Sequence, residues 1–527
     1  MDERRDKFIS LLAALALLAF LAVFAVLNFR YEQVFCDGDV YTDMALAREI
    51  WRQKSLFPSN WIFGNQYYVV ATPVLAALFY GLTGSMNLAM GLATTVMGLL
   101  VLLSLDWMLR PFVRRRGHRL IDLLMLCAAA MGTRLLLEPE GQLFFVMASY
   151  YACYLITLFL VFGDYARSLQ TPEKARPLAL SLTLLLCFAT GMHSLRQTAV
   201  MVLPLLALEL LALFLRLLRR QRAFPHARRS AMLRCLCYTL ANLLGSILMR
   251  LMHIPSRSVY DRVASASDSL PERLHSLWAA WRGISGLDAA FFGEARLFFT
   301  LFFLFQLFCV LLAALLVLKK LRDRLDGLSR LWLLCLISLG GTFLTGLLIQ
   351  IQMREIYLFV WYPLVMLSLL VLLEAEFSLR RLLALGAVLL CLGNLLFSYG
   401  STLRYARQAE KDMLPYRQFC EDAEAAGITT VYGGWEFTPH CVVWSDGALT
   451  AGFWGDIPFW VRESINRLDI YEEADNDTAL YLFGPWTREY YLQCAEDLGG
   501  ELTLFGEYGS CIAYRSQKQL MYFAPND

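Results

Sequence analysis

Eleven apolar runs of spanning or near-spanning length divide this chain, at about 8–28, 86–109, 120–137, 143–166, 177–192, 196–217, 232–252, 296–318, 330–350, 356–374 and 381–399. About 20 apolar residues are what a helix needs to cross the hydrocarbon of a bilayer. There every backbone N–H and C=O must find its partner inside the protein, so such runs fold as packed helices. Composition agrees. Of the 527 residues only 17% are charged, against about 25% in a soluble protein. So few charges cannot clothe the chain in water. A soluble enzyme, a nucleic-acid binder and a disordered scaffold are excluded. The expected class is mainly α, a polytopic transmembrane helical bundle of about eleven spans in a lipid bilayer.

A twelfth run, 69–83, is short and holds Pro73 and Gly81. Its length suits a re-entrant or interfacial segment. The basic residues support this count, because cytoplasmic loops collect Lys and Arg. With the N-terminus inside and 69–83 not crossing, the clusters Arg114-Arg115-Arg116, Arg219-Arg220, Arg228-Arg229, Lys319-Lys320 and Arg380-Arg381 all fall on the cytoplasmic side. If 69–83 crossed, all would fall outside. The expectation is a multi-pass cytoplasmic-membrane protein with an exported C-terminal part.

The same topology exports 30–68, 138–142, 193–195, 253–295 and 351–355. These segments and their edges hold Asp37, Asp39, Tyr41 and Asp43; Glu138 and Glu140; His193 and Arg196; Arg257, Tyr260 and Arg262; and Arg354 and Glu355. Ionisable groups at the lip of a span are costly unless they pair or meet a polar ligand. In the first loop, Asp39 is placed to cap the helix that follows. Val40, Met44, Ala47 and Trp51 form one apolar stripe on that helix, which suits lying at the membrane interface.

With these pieces the chain resembles the GT-C superfamily of integral-membrane glycosyltransferases, which use polyprenyl-phosphate-linked sugars. The resemblance rests on Asp37-Gly38-Asp39 with Tyr41 beyond, on the Pro73-bearing short run ending near Gly84, on Gly191-Met192-His193-Ser194-Leu195-Arg196 before Pro204, and on Arg354-Glu355-Ile356-Tyr357 leading to Trp361-Tyr362-Pro363. It covers roughly 8–400 and implies a catalytic membrane domain over 1–400. A first-loop aspartate, Asp37 before Asp39, would be the general base. Arg196 and Arg354 would hold the donor phosphate. Tyr41, Asp43, Glu138, Glu140, His193, Arg257, Tyr260, Arg262 and Glu355 would shape the groove. The acid-x-acid spacing of Asp37 and Asp39 also suits a divalent cation, magnesium or manganese. The acceptor would be an envelope glycan, a lipid or a protein.

Residues 401–527 change character, being polar, mixed and aromatic without a spanning run. Their pattern reads as a small extracytoplasmic α/β domain, with a helix near 405–426, strands near 429–432, 440–445, 448–452 and 478–483, a helix near 486–498, and a closing strand pair. Trp435, Trp444, Trp454, Trp460 and Trp486 either stack on sugars or build its core. Cys420, Cys441, Cys494 and Cys511 would suffice for two disulfides. Two other classes compete with the enzyme reading: a transporter or flippase for lipid-linked sugar, and a non-catalytic subunit of envelope assembly.

Overall fold

The computed structural model describes residues 2–523, except for 31–37, 65, 132–150, 171–176, 219–225, 258–268, 293–294, 323–324, 349–352, 376–378, 435–437, 456, 463–465, 468 and 472–475. Asp37, Glu138, Glu140, Tyr260 and Arg262 therefore lie outside the described residues, as does Trp435.

Among the described residues, 8 helices are long and apolar enough to cross a membrane. They occupy 6–30, 86–109, 152–170, 229–251, 296–321, 327–348, 355–374 and 380–425. The other three expected runs are helical too, but shorter or less apolar: Arg116–Met131, Pro177–His193 and the helix over 195–218. The run at 69–83 becomes the helix Thr72–Thr83, which is 12 residues long. At about 1.5 Å per residue it reaches about 18 Å, well short of the hydrocarbon slab.

The helix over 195–218 widens into a π turn at Thr198–Val202. Pro204 has no N–H to offer the carbonyl four residues back, at Val200. The Ser338 hydroxyl from a neighbouring helix donates to that carbonyl at 2.7 Å. Helices Pro177–His193 and His226–Leu251 cross closely at two glycines. A Cβ on Gly191 would stand 2.0 Å from the Asn242 carbonyl oxygen, and one on Gly245 would stand 2.0 Å from that of Phe188. Small residues at such crossings let backbones approach and gain dispersion contact, which is how helices associate in lipid.

The basic loops at the opposite end are tied to nearby acids. Arg381 meets Asp6 at 3.0 Å, Arg119 meets Asp106 at 2.8 Å, and His118 meets Glu374 at 2.6 Å. Inside the bundle, Asp164 takes both Arg234 and the Tyr238 hydroxyl, and Glu209 accepts from Tyr165.

The last long helix, Arg380–Asp412, runs unbroken through the composition change near 400. Nothing in Gly400–Asp412 stops it until Pro415 enters the next helix, Leu414–Ala425. Beyond lies a mixed sheet. Strand β1 (Trp61–Ile62) belongs to the first loop; β2 (Thr430–Gly434), β3 (Thr450–Trp454), β4 (Asn466–Arg467), β5 (Ala479–Phe483), β6 (Leu502–Tyr508) and β7 (Cys511–Ser516) follow. The main sheet has 5 strands in the order β3-β2-β5-β7-β6. The pairs β3-β2 and β2-β5 are parallel, and β5-β7 and β7-β6 are antiparallel. The expected strand at 440–445 is instead the helix Thr438–Trp444. Pro439 suits a first helical turn, and the Thr438 hydroxyl closes back on the Gly434 carbonyl at 2.9 Å. Trp454 is fully buried in this domain's core, whereas Trp486 is exposed. Cys420, Cys441, Cys494 and Cys511, which would suffice for two bridges, are free thiols.

Candidate active site

The first-loop helix spans Gly38–Gln53. Because it starts at Gly38, Asp39 sits in its first turn rather than at the expected cap position. There the helix dipole still favours its negative charge. Asp43 follows one turn later, so both carboxylates share one face. The apolar stripe is not laid open: Val40, Met44 and Ala47 are buried. Trp51 lies so close on Gly81 that a Cβ there would meet its ring at 2.3 Å.

Tyr41 points elsewhere. Its ring lies 4.2 Å from that of His440, and its hydroxyl accepts the Trp444 indole N–H at 3.2 Å. The Arg48 guanidinium donates to the Gly447 carbonyl at 2.9 Å, and β1 pairs with β4. The helix is thus clasped on this side by the C-terminal domain. Tyr41 belongs to that clasp, away from the side of Asp39 and Asp43.

Asp43 and Asp39 act on Tyr68. Burial first, then the negative charges of Asp43 and Asp39, push the Tyr68 hydroxyl well above the usual phenol range. Tyr68 is held by its neighbours along the chain. The N–H groups of Val69 and Val70 both donate to His193 Nε2, each at 2.8 Å, and Tyr67 N–H donates to the His193 carbonyl at 3.1 Å. A nitrogen that accepts two N–H groups carries no proton. Burial accordingly pushes His193 down to about 4. His193 is therefore a strap anchor for residues 67–70.

A chain of hydrogen bonds leads on from Tyr68. The Gln66 amide donates to the Tyr68 hydroxyl at 3.4 Å, and the Tyr154 hydroxyl donates to the Gln66 carbonyl oxygen at 3.0 Å. Tyr154 packs against Tyr151, with ring centroids 5.4 Å apart. Here the two arginines gather. Arg196 donates to the Tyr151 hydroxyl, and its guanidinium lies 4.3 Å over the Tyr357 ring and 5.4 Å over that of Tyr151. Arg354 also lies within electrostatic reach of Tyr151. Arg196 thus holds the Tyr151 hydroxyl directly with Arg354 within electrostatic reach, and Gln66 links Tyr154, packed beside Tyr151, to Tyr68, which feels the charges of the first-loop acids.

Glu355 is buried, with its carboxylate packed on the helix Leu270–Ser285. It lies directly on Gly283, where a Cβ would stand 2.2 Å from Glu355 Oε2 and would push the carboxylate aside. Arg257 is exposed, and its backbone N–H donates to the Phe63 carbonyl at 2.9 Å. It anchors the fourth loop to the first. Among the described residues no group of three or more His, Cys, Asp or Glu is set to hold a metal ion.

The sequence does not single out Tyr68, Tyr151 or Tyr154, the last two falling inside the apolar run 143–166. Their signal was a three-residue spacing of tyrosines at the mouth of a span. Arrangements of this kind can deprotonate a hydroxyl at one end and neutralise a phosphate at the other.

No family model matches the sequence, and no curated protein matches it. Solved structures do. The chain is similar to ArnT from Cupriavidus metallidurans bound to undecaprenyl phosphate, with 13% identity and a TM-score of 0.57 over 98% of this chain and 99% of that one. It is similar to the same protein in the apo state, with 12% identity and a TM-score of 0.58 over the same shares. Identity at this level speaks for the fold. The similarity of fold extends over nearly the full length of both chains.

Proposed function

We propose that this chain is a membrane glycosyltransferase of the GT-C type, moving a sugar from a polyprenyl-phosphate donor to an acceptor on the exported side of the cytoplasmic membrane. The observation that carries the reading is Arg196 seated on the Tyr151 hydroxyl with Arg354 within electrostatic reach, beside Tyr154 and Tyr68, which Gln66 bridges and of which Tyr68 feels the charges of Asp43 and Asp39. The shared fold with a protein solved bound to undecaprenyl phosphate supports a lipid phosphate as the leaving group.

In this reading a first-loop carboxylate, Asp37 or Asp39, takes the proton of the acceptor hydroxyl. The hydroxyl oxygen forms a bond to the anomeric carbon as the bond from that carbon to the phosphate oxygen breaks. The electron pair leaves with the phosphate, whose charge Arg196 and Arg354 neutralise. A divalent ion shared by Asp37 and Asp39 would predict that chelation stops transfer and that magnesium or manganese restores it.

The test uses purified full-length protein in nanodiscs with a panel of polyprenyl-phosphate sugars, following release of polyprenyl phosphate. Asp37→Asn and Asp39→Asn are made separately. The expected result is near-complete loss of transfer in one of them, about 10²-fold or more, with normal abundance. Full transfer in both refutes the assignment of the base. No release with any donor across a broad acceptor panel refutes the enzyme reading and favours a transporter or an assembly subunit.

A further inference from the structure

The Arg196 guanidinium is held by phenols from two other stretches of the chain. Tyr151, just before the helix Ala152–Gln170, accepts from its Nη1, with the ring centroid 5.4 Å from Cζ. Tyr357, on the turn Glu355–Leu358, lies closer, at 4.3 Å. Both phenols are buried, whereas Arg196 keeps part of its surface exposed.

The two tyrosines are themselves fixed. The Tyr151 ring packs on Tyr154 at 5.4 Å and on Phe359 at 5.8 Å, and Tyr154 packs on Phe359 at 6.2 Å. The Tyr154 hydroxyl is tied to Gln66 at 3.0 Å. The turn that carries Tyr357 is pinned at its start. There the Met353 N–H donates to the Ser276 hydroxyl at 3.0 Å, and the Tyr357 N–H donates to the Arg354 carbonyl at 3.1 Å. Rings packed in this way leave the guanidinium a set place to rest.

That matters for a long, flexible cation. An arginine that must meet an anion in one orientation gives up rotamer freedom on binding, unless its fork is oriented beforehand. Here the orienting groups are π faces and a phenol oxygen. They attract the guanidinium without cancelling its charge, as a carboxylate would. The charge therefore remains available to an arriving anion.

We propose that Tyr151 and Tyr357 are positioning residues, which set the Arg196 guanidinium for a lipid phosphate. The identity of that phosphate rests on the glycosyl-transfer reading. The two tyrosines act through Arg196 and not on the lipid itself.

Binding is measured apart from turnover. Full-length protein in nanodiscs is titrated with tritiated farnesyl phosphate, and binding to empty nanodiscs is subtracted. Farnesol, the same chain without the phosphate, is the competitor. Tyr151→Phe keeps the ring and loses the acceptor; Tyr357→Leu loses the π face. Each should weaken farnesyl phosphate about tenfold and leave competition by farnesol unchanged, a split that a damaged fold would not give. Tyr357→Phe returns the ring and should restore most of the affinity. Added to Arg196→Lys, Tyr151→Phe should cost about twofold at most, because no guanidinium is left to orient. Unchanged affinity for farnesyl phosphate in both folded variants overturns the proposal. So does an equal loss for farnesol, or a full loss on top of Arg196→Lys. An unmodified protein that does not prefer farnesyl phosphate to farnesol overturns it as well. The transfer assay separates this from the function. Tyrosine-dependent binding without any sugar transfer supports the positioning role and counts against the proposed function alone. Transfer at an unchanged donor KM in Tyr151→Phe and Tyr357→Leu supports the function and overturns the positioning role.

Discussion

Lowering the pH from 7 to 5 should loosen the strap of residues 67–70 while the C-terminal sheet stays intact. His193 is 3% exposed, and its Nε2 accepts two backbone N–H groups. Its pKa of about 4 when docked compares with about 6.5 when freely hydrated. Between these values the opened form binds a proton and the docked form does not. Stability of the docked strap therefore rises with pH across that window. The contribution is fully present above about 6.5, falls as pH drops, and levels off below about 4. The gap between these two values amounts to about 3 kcal/mol in all. At pH 5 about 2 kcal/mol of it is lost, which is about thirtyfold in the opening equilibrium. Hydrogen exchange with mass spectrometry reads this directly, as the protection of a peptide covering Tyr67–Val70 at both pH values, corrected for intrinsic exchange rates and compared with β5. His193→Asn should be poorly protected at both. If protection of 67–70 is unchanged at pH 5, or falls only in step with β5, the neutral-acceptor reasoning is wrong.

Other outcomes follow from the same contacts. Arg196→Lys gives up the planar stack on Tyr357 and the forked grip on phosphate; KM for the lipid-linked donor should rise about tenfold while the protein remains folded. Gly191→Ala drives a methyl into the Asn242 backbone and should lower stability by about 1–3 kcal/mol in a thermal-unfolding assay in detergent. Asp122 is fully buried, and among the described residues neither carboxyl oxygen has a hydrogen-bond partner; Asp122→Ala should raise the unfolding midpoint, since a buried unmet carboxyl costs more than the small cavity left behind. Tyr41→Ala removes the ring packed on His440 and the acceptor for Trp444. It should loosen the C-terminal domain, seen as faster proteolysis after Asp412, by about 3 kcal/mol of lost packing.

The spans were legible because hydrocarbon demands a long run of one chemical character, and such runs stand out in any window. Thr72–Thr83 was recognisable as too short to cross for the same reason. The sheet of the C-terminal domain was legible in Thr430–Gly434 and Ala479–Phe483, where β-branched and aromatic residues cluster. Thr438–Trp444 was misread because its valines suggest a strand, while Pro439 and the Thr438 hydroxyl nucleate a helix locally. The site was legible in its charges but not in its wiring. Asp39, Arg196 and Arg354 stood out as ionisable groups beside apolar runs. Gln66, Tyr68, Tyr151 and Tyr154 are ordinary mouth-of-span residues until the fold brings them together. Tyr41 entered the groove as part of the acidic motif that carried the resemblance, yet two residues along a helix point some 200° apart, and its ring packs on His440.

The unbroken helix Arg380–Asp412 has a mechanical consequence. Its 33 residues make a rod of about 50 Å, longer than the roughly 30 Å of hydrocarbon it has to traverse. The C-terminal domain thus sits on a stiff mast instead of a tether, and the same domain grips the back of the helix bearing Asp39 and Asp43. Tilting the mast, as a thicker or thinner bilayer would require, should move the acids with it, so lipid thickness becomes a setting that this protein can feel.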